Sequence, residues 1–127
     1  MNSATQDQGT NTTLAAVRRM EDAIERRDAD AFMACCTDDV VWETTTPPDG
    51  DRLEGQIAVR AGIEEFLRGS QEPRFEAEYV AALGDDAFLR WRYTWKNADG
   101  TEGHVRGVDV IRVRDGKISE MLAYVKG

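Results

Sequence analysis

Apolar residues recur at helical spacing in the first half of the chain and alternate with polar ones in the second, so the pattern predicts helices first and strands afterwards. Leu14, Val17, Met20 and Ile24 fall on one face of a helix. Thr12 or Thr13 is placed to cap its start, and Arg26 and Arg27 lie near the negative end of its dipole. Residues 1–13 are polar and rich in Thr, Asn, Gln and Ser. They bury too little apolar surface to offset the entropy of ordering, which predicts a flexible tail ahead of a single domain over 14–127. A short second helix over 30–36, capped by Asp28 or Asp30, carries Phe32, Cys35 and Cys36 on one side, making a hinge-like helix pair with the first. Val59, Ile63, Phe66 and Leu67 share a face of a third helix over 56–68, stopped by Gly69 and Ser70.

Between the second and third helices the run VVWETT reads as a strand, ended by Pro47, Pro48, Asp49 and Gly50. The loop over 45–55 is expected to form a lid. Everything after the third helix reads as strand, over 75–83, 87–97, 104–113 and 117–125. The separators Gly84-Asp85-Asp86, Asp99-Gly100 and Asp115-Gly116 are the turn chemistry of antiparallel hairpins. No helix intervenes between these strands, which argues against a parallel α/β sheet. The expected fold is therefore α+β, a cone-shaped roll of three N-terminal helices packed on a curved, mainly antiparallel sheet. Its concave face encloses a cavity, and its outer face is left for another subunit.

Strand alternation divides each segment into two sets of side chains. In the fourth strand, Val105, Gly107, Asp109, Ile111 and Val113 form the apolar set and should point inward. The third strand sends Ala87, Leu89, Trp91, Tyr93 and Trp95 the same way, and the last strand Ser119, Met121, Ala123 and Val125, leaving Leu122 and Tyr124 outside for a dimer interface. Burying Trp42 places Thr44 inward and leaves Glu43 as a solvated or interface charge. Asp109 is thus a lone carboxyl among rings and aliphatic chains. Desolvation there disfavours the charged form and raises its pKa, so it could move a proton near neutral pH or, alternatively, bond neighbouring groups and hold the sheet together.

Composition narrows the class of partner. A chain of 127 residues fits one domain, and its net charge of −8 repels phosphate backbones and anionic membranes. Neither nucleic acid nor a membrane is an expected partner. The first thirteen residues lack a basic start followed by an apolar run, and a cytoplasmic location is the default expectation. Cys35 and Cys36 are adjacent, a spacing that staples no loop, and read as reduced core residues. One histidine and two neighbouring cysteines supply no metal-ligand set of the usual spacing, so no metal and no cofactor is expected. His104 shares its parity with two arginines and reads as a surface residue.

The segments RRDADAFMACCTDDVVWE, PPDGDRLEG before VRAGIEEFL, and GVDVIRVRDGKISEMLAY occur in the order in which they resemble the polyketide cyclase SnoaL-like branch of the nuclear transport factor 2-like superfamily, which also holds ketosteroid isomerase. The resemblance spans about residues 14–127 and implies the same cystatin-like roll. It places Asp109 on the acid that ketosteroid isomerase keeps protonated to hydrogen-bond an oxyanion. The isomerase's general-base aspartate falls on Thr44 and its oxyanion tyrosine near Met20, and neither side chain can fill those roles. In the cyclase pattern an aspartate similar to Asp109 acts as acid or base, with Trp95 where the partner histidine is expected. The epoxide hydrolase relay of Asp, Arg and Asp finds no inward arginine beside Asp109.

The sequence therefore points to a domain that binds a small apolar molecule in a pocket formed by Met20, Trp42, Thr44, Phe66, Leu89, Trp91, Tyr93, Trp95, Met121 and Val125. As an enzyme it would be cofactor-free and of isomerase or cyclase type, with Asp109 as acid or base on a carbonyl compound and Tyr93 or Thr44 orienting the oxygen. The alternative is a module of the same shape that binds or dimerises without chemistry. A homodimer through the outer face of the sheet is expected in either case.

Overall fold

The computed structural model describes residues 3–69 and 71–126. Three helices, α1 (Ser3–Glu25), α2 (Ala29–Ala34) and α3 (Gly55–Arg68), pack against a sheet of six strands. These are β1 (Cys36–Glu43), β2 (Arg52–Glu54), β3 (Gln71–Leu83), β4 (Asp86–Lys96), β5 (Glu102–Arg114) and β6 (Lys117–Val125), in the spatial order β2-β1-β6-β5-β4-β3. Every neighbouring pair is antiparallel except β1 and β6, which run parallel. The α+β roll and the four-strand meander are as expected.

Residues 3–13, expected in a loose tail, are instead the first turns of α1. Composition favoured disorder, but tertiary contact outweighs it: Thr13 is buried, its hydroxyl donates to the Gly84 carbonyl at 2.6 Å, and the Gly84 amide donates to Thr10 Oγ1 at 3.0 Å. Neither Thr12 nor Thr13 is a cap. At the other end, Arg27 takes a left-handed backbone (φ 56°) and gives a guanidinium hydrogen bond to the Leu67 carbonyl, which ties α1 to α3. Asp28 then caps α2 by accepting from the Ala31 amide at 2.9 Å. That helix stops at Ala34, so Cys36 opens β1 rather than closing the helix.

The expected lid is shorter than residues 45–55. Arg52–Glu54 forms an edge strand with Trp42 opposite Leu53 and Glu43 opposite Arg52. Arg52 bridges Glu43 at 2.9 Å and Glu54 at 2.7 Å, so Glu43 faces away from the core.

In β6 the alternation breaks. Ile111 pairs with Met121 and Arg112 with Glu120, but Val113 pairs with Ile118, so Ser119 is an extra residue and donates from its hydroxyl to the Arg112 carbonyl at 3.1 Å. Such a bulge reverses the facing of everything before it. Ile118 is consequently buried in the core, and the inward place expected for Ser119 goes to Ile118. The core runs between helices and sheet, through Val17, Met20, Phe32, Val40, Val59, Ile63, Leu89, Ile111 and Ile118. No described helix is long and apolar enough to cross a membrane.

Candidate functional site

Beside this core the sheet and α3 leave a cavity of about 720 Å³. Its wall includes Trp42 and Thr44 from the β1 edge, Leu53 from β2, Phe66 from α3, and Phe75, Trp91, Tyr93, Trp95, Val105, Asp109 and Met121 from the meander. Five of its rings pack in two groups. Tyr93 lies 5.2 Å from Phe66 and 5.7 Å from Trp95 between ring centroids, and Phe75 lies 5.8 Å from Trp91. Tilted rings at these separations are attractive and leave an apolar, weakly hydrated surface. A second hollow of about 310 Å³ shares Ile24, Phe66, Phe75 and Tyr93 with the first and is rimmed by Arg27, Arg74, Glu25 and Glu76.

All three tryptophans of the chain reach the wall, and each does so against a glycine. A Cβ on Gly62 would come within 3.0 Å of Trp42 Cζ3, one on Gly103 within 2.4 Å of Trp95 Cε2, and one on Gly107 within 2.5 Å of Trp91 Cζ2. On the β4–β5 ladder the pairs are direct, with Trp91 opposite Gly107 and Trp95 opposite Gly103. The missing side chains let the indoles lie across the neighbouring strand instead of filling the hollow.

Asp109 is 7% exposed, pairs with Leu89 on one side and Ala123 on the other, and opens onto the cavity. Its Oδ1 accepts from Trp91 Nε1 at 3.0 Å. Burial pushes the carboxyl up from 3.8 to about 7, with the Trp91 hydrogen bond acting in the other direction. The group can therefore exist in both protonation states near neutrality, as a general acid or base needs.

Of the residues expected in the pocket, Trp42, Thr44, Phe66, Trp91, Tyr93, Trp95 and Met121 line the cavity together with Asp109. Three do not. Met20 and Leu89 are fully buried in the core, and Val125 is 40% exposed at the end of β6. Leu89 and Val125 do have the inward parity of their strands, but Leu89 packs in the core between sheet and helices, Val125 meets solvent at the strand tip, and Met20 is enclosed in the core from α1. The Thr44 hydroxyl accepts from the Asp51 amide at 2.9 Å and lies 3.3 Å from Thr46 Oγ1, so it organises the loop at the cavity rim. Leu53 and Phe75 were missed. Phase from Tyr93 across the ladder could have located Phe75, whereas Leu53 depends on a strand too short to read. His104 is exposed, opposite Thr94 on the outer face.

The cysteines are chemically quiet. Cys35 Sγ donates to Ala31 O at 3.2 Å and Cys36 Sγ to Phe32 O at 3.4 Å. Burial raises both thiols, Cys36 to about 12. Protonated thiols of this kind are poor nucleophiles.

The chain belongs to the SnoaL-like domain family, whose model matches residues 17–121. In structure it is similar to a nuclear transport factor 2-like protein of unknown function from Mesorhizobium loti, with 36% identity, 93% of each chain covered and a TM-score of 0.79. It shares its fold with a protein provisionally classed as a ketosteroid isomerase from Kribbella flavida (21% identity, 97% of this chain and 82% of that one, TM-score 0.79). The same holds for one provisionally classed as a polyketide cyclase from Xanthomonas campestris (21% identity, 93% of each chain, TM-score 0.77). No curated protein matches the sequence.

Proposed function

We propose that this domain binds a small, largely apolar carbonyl compound in the aromatic cavity and moves a proton at the carbon next to the carbonyl, with Asp109 as the acid or base. The observation that carries the reading is a buried carboxyl, poised near neutrality, in the aromatic wall of a largely apolar hollow of about 720 Å³. Tyr93, whose ring forms part of the same wall, orients the oxygen. Isomerisation and cyclisation both begin with such a transfer and need no cofactor.

The test is exchange of α-hydrogens for solvent deuterium in a panel of cyclic ketones, followed by NMR. The wild type should exchange at least one member, and Asp109→Asn should lose roughly 10² to 10⁴ of the rate while binding with similar affinity. Exchange that survives in the variant removes Asp109 from the mechanism. A second reading, binding without chemistry, draws support from Asp109 having only Trp91 as a side-chain partner among the described residues. Ketones that quench tryptophan fluorescence but never exchange would establish it.

We also propose that the outer face of the sheet pairs with a second copy of this chain. Tyr79, Phe88 and Tyr124 are each more than half exposed; Phe88 and Tyr124 flank Val108, Val110 and Leu122 in an apolar band, and Arg90, lying over the Tyr79 ring, separates Tyr79 from Val108. Arg92, Arg106 and Arg112 alternate with Glu76, Glu78 and Glu120 around it, so a two-fold copy would meet charges of both signs. Sedimentation should give a dimer that Phe88→Glu converts to a monomer; a monomeric wild type overturns the assignment.

A further inference from the structure

We propose that Trp91 is a positioning residue that fixes which oxygen of Asp109 reacts, its indole N–H holding Oδ1 so that Oδ2 carries the proton and meets the ligand. This deepens the reading of Asp109 as the reacting acid and rests on it.

The argument begins with donor inventory. An indole N–H only donates, so the oxygen facing it must remain an acceptor whether the carboxyl is charged or neutral. The hydroxyl oxygen of a neutral carboxyl accepts more weakly than its carbonyl oxygen, so a proton on Oδ1 would weaken the bond to the indole. When Asp109 is neutral its proton therefore resides on Oδ2. When Oδ2 gives that proton to the ligand's enolate carbon, a C–H bond forms from the enolate's electron pair as the O–H bond breaks, and the negative charge left on the carboxylate spreads to Oδ1, where the indole N–H stabilises it; the return transfer reverses these changes. Free rotation of an unheld carboxyl would instead present either oxygen.

The ladder supplies the geometry. Trp91 stands opposite Gly107, two residues before Asp109 on β5, and the absence of a Cβ at Gly107 lets the ring lie across that strand with its nitrogen 3.0 Å from Oδ1. Other ionisable groups lining the hollow are the Tyr93 phenol from β4, Glu65 from α3 and Asp51 from the loop before β2; β6 contributes Met121 and Ala123, and α1 contributes Ile24. None is hydrogen-bonded to Asp109 among the described residues, so the indole is the group whose removal should be felt.

Trp91→Phe keeps a ring and deletes the donor. Losing a bond that favours the charged form should raise the titration midpoint of Asp109 by on the order of one pH unit. The measurement is ¹³C NMR of the labelled Asp109 carboxyl against pH, without ligand. In the wild type the Trp91 indole N–H resonance should move with the same midpoint. An unchanged midpoint in the folded variant overturns the proposal. So does a wild-type indole resonance that stays still through the Asp109 titration, a result that decides the matter even where the variant does not fold. These readouts involve no turnover, so the failure of Asp109 as a catalyst shows separately, in the deuterium-exchange assay.

Discussion

Gly107 and Trp91 face each other across the β4–β5 ladder so closely that a methyl group at residue 107 would sit 2.5 Å from the indole and 2.5 Å from the Tyr124 carbonyl oxygen. The carbonyl belongs to the β5–β6 ladder and cannot swing aside. Gly107→Ala should therefore cost about 1–3 kcal/mol, the usual penalty for overpacking. At Gly103 the three atoms nearest an added methyl all belong to the Trp95 indole, a half-buried side chain near the strand end, which gives way more readily than backbone. The cost of Gly103→Ala should be smaller. Urea unfolding of both variants checks the order, and equal losses would show that the indoles, not the carbonyl, set the constraint.

Stability should fall as pH rises from about 4 to about 7, because of Asp109. In the unfolded chain this carboxyl titrates near 3.8, and in the folded protein near 7. Between those values the folded state keeps a proton that the unfolded chain has released, so the contribution is complete below 3.8 and lost as pH passes 7. The interval corresponds to an upper limit of roughly 4 kcal/mol. Asp39 and Asp99, held below their ordinary values by hydrogen bonds from Arg114 and Thr101, act in the opposite sense at lower pH. Asp109→Asn should remove most of the decline, Glu21 being raised by burial and acting in the same sense, and should be the more stable protein at pH 8, as measured by urea midpoints at pH 5 and 8. A wild type whose stability is flat over that range would mean an Asp109 that ionises like a solvated acid.

What could be read from sequence, and what could not, follows from the range of the interactions involved. The inward face of β4 was legible because Ala87, Leu89, Trp91 and Tyr93 obey a strict period of two and all four are buried. Asp109 was legible as a conflict within such a period, a charge on an apolar face. The facing of Ile118 was not, since an extra residue at Ser119 leaves no local signature and shows itself only in pairing with β5. Nor was β2, whose three residues are held by Arg52 to Glu43 across the edge. The glycines opposite Trp91 and Trp95 could have been found by aligning the two strands through their turn. Gly62 could not, because its contact with Trp42 joins a helix to a strand.

The start of α1 offers the clearest case of a distant contact deciding local structure. Thr13 is 1% exposed, and its hydroxyl holds the carbonyl of Gly84, a turn residue with φ 61° between β3 and β4; Thr10 receives the amide of the same glycine. One glycine thus anchors two positions, a turn apart, in the part of α1 whose composition alone would leave it unfolded. Thr13→Val preserves shape and removes the donor, leaving a carbonyl that water reaches poorly, and should cost about 1 kcal/mol. Thr10→Val acts on the amide instead. Hydrogen exchange should then speed up at Gly84 and through residues 8–13 together, because releasing the anchor frees the helix end as a unit. Exchange that quickens at Gly84 alone would show that the first turns of α1 are held by their apolar contacts and not by this turn.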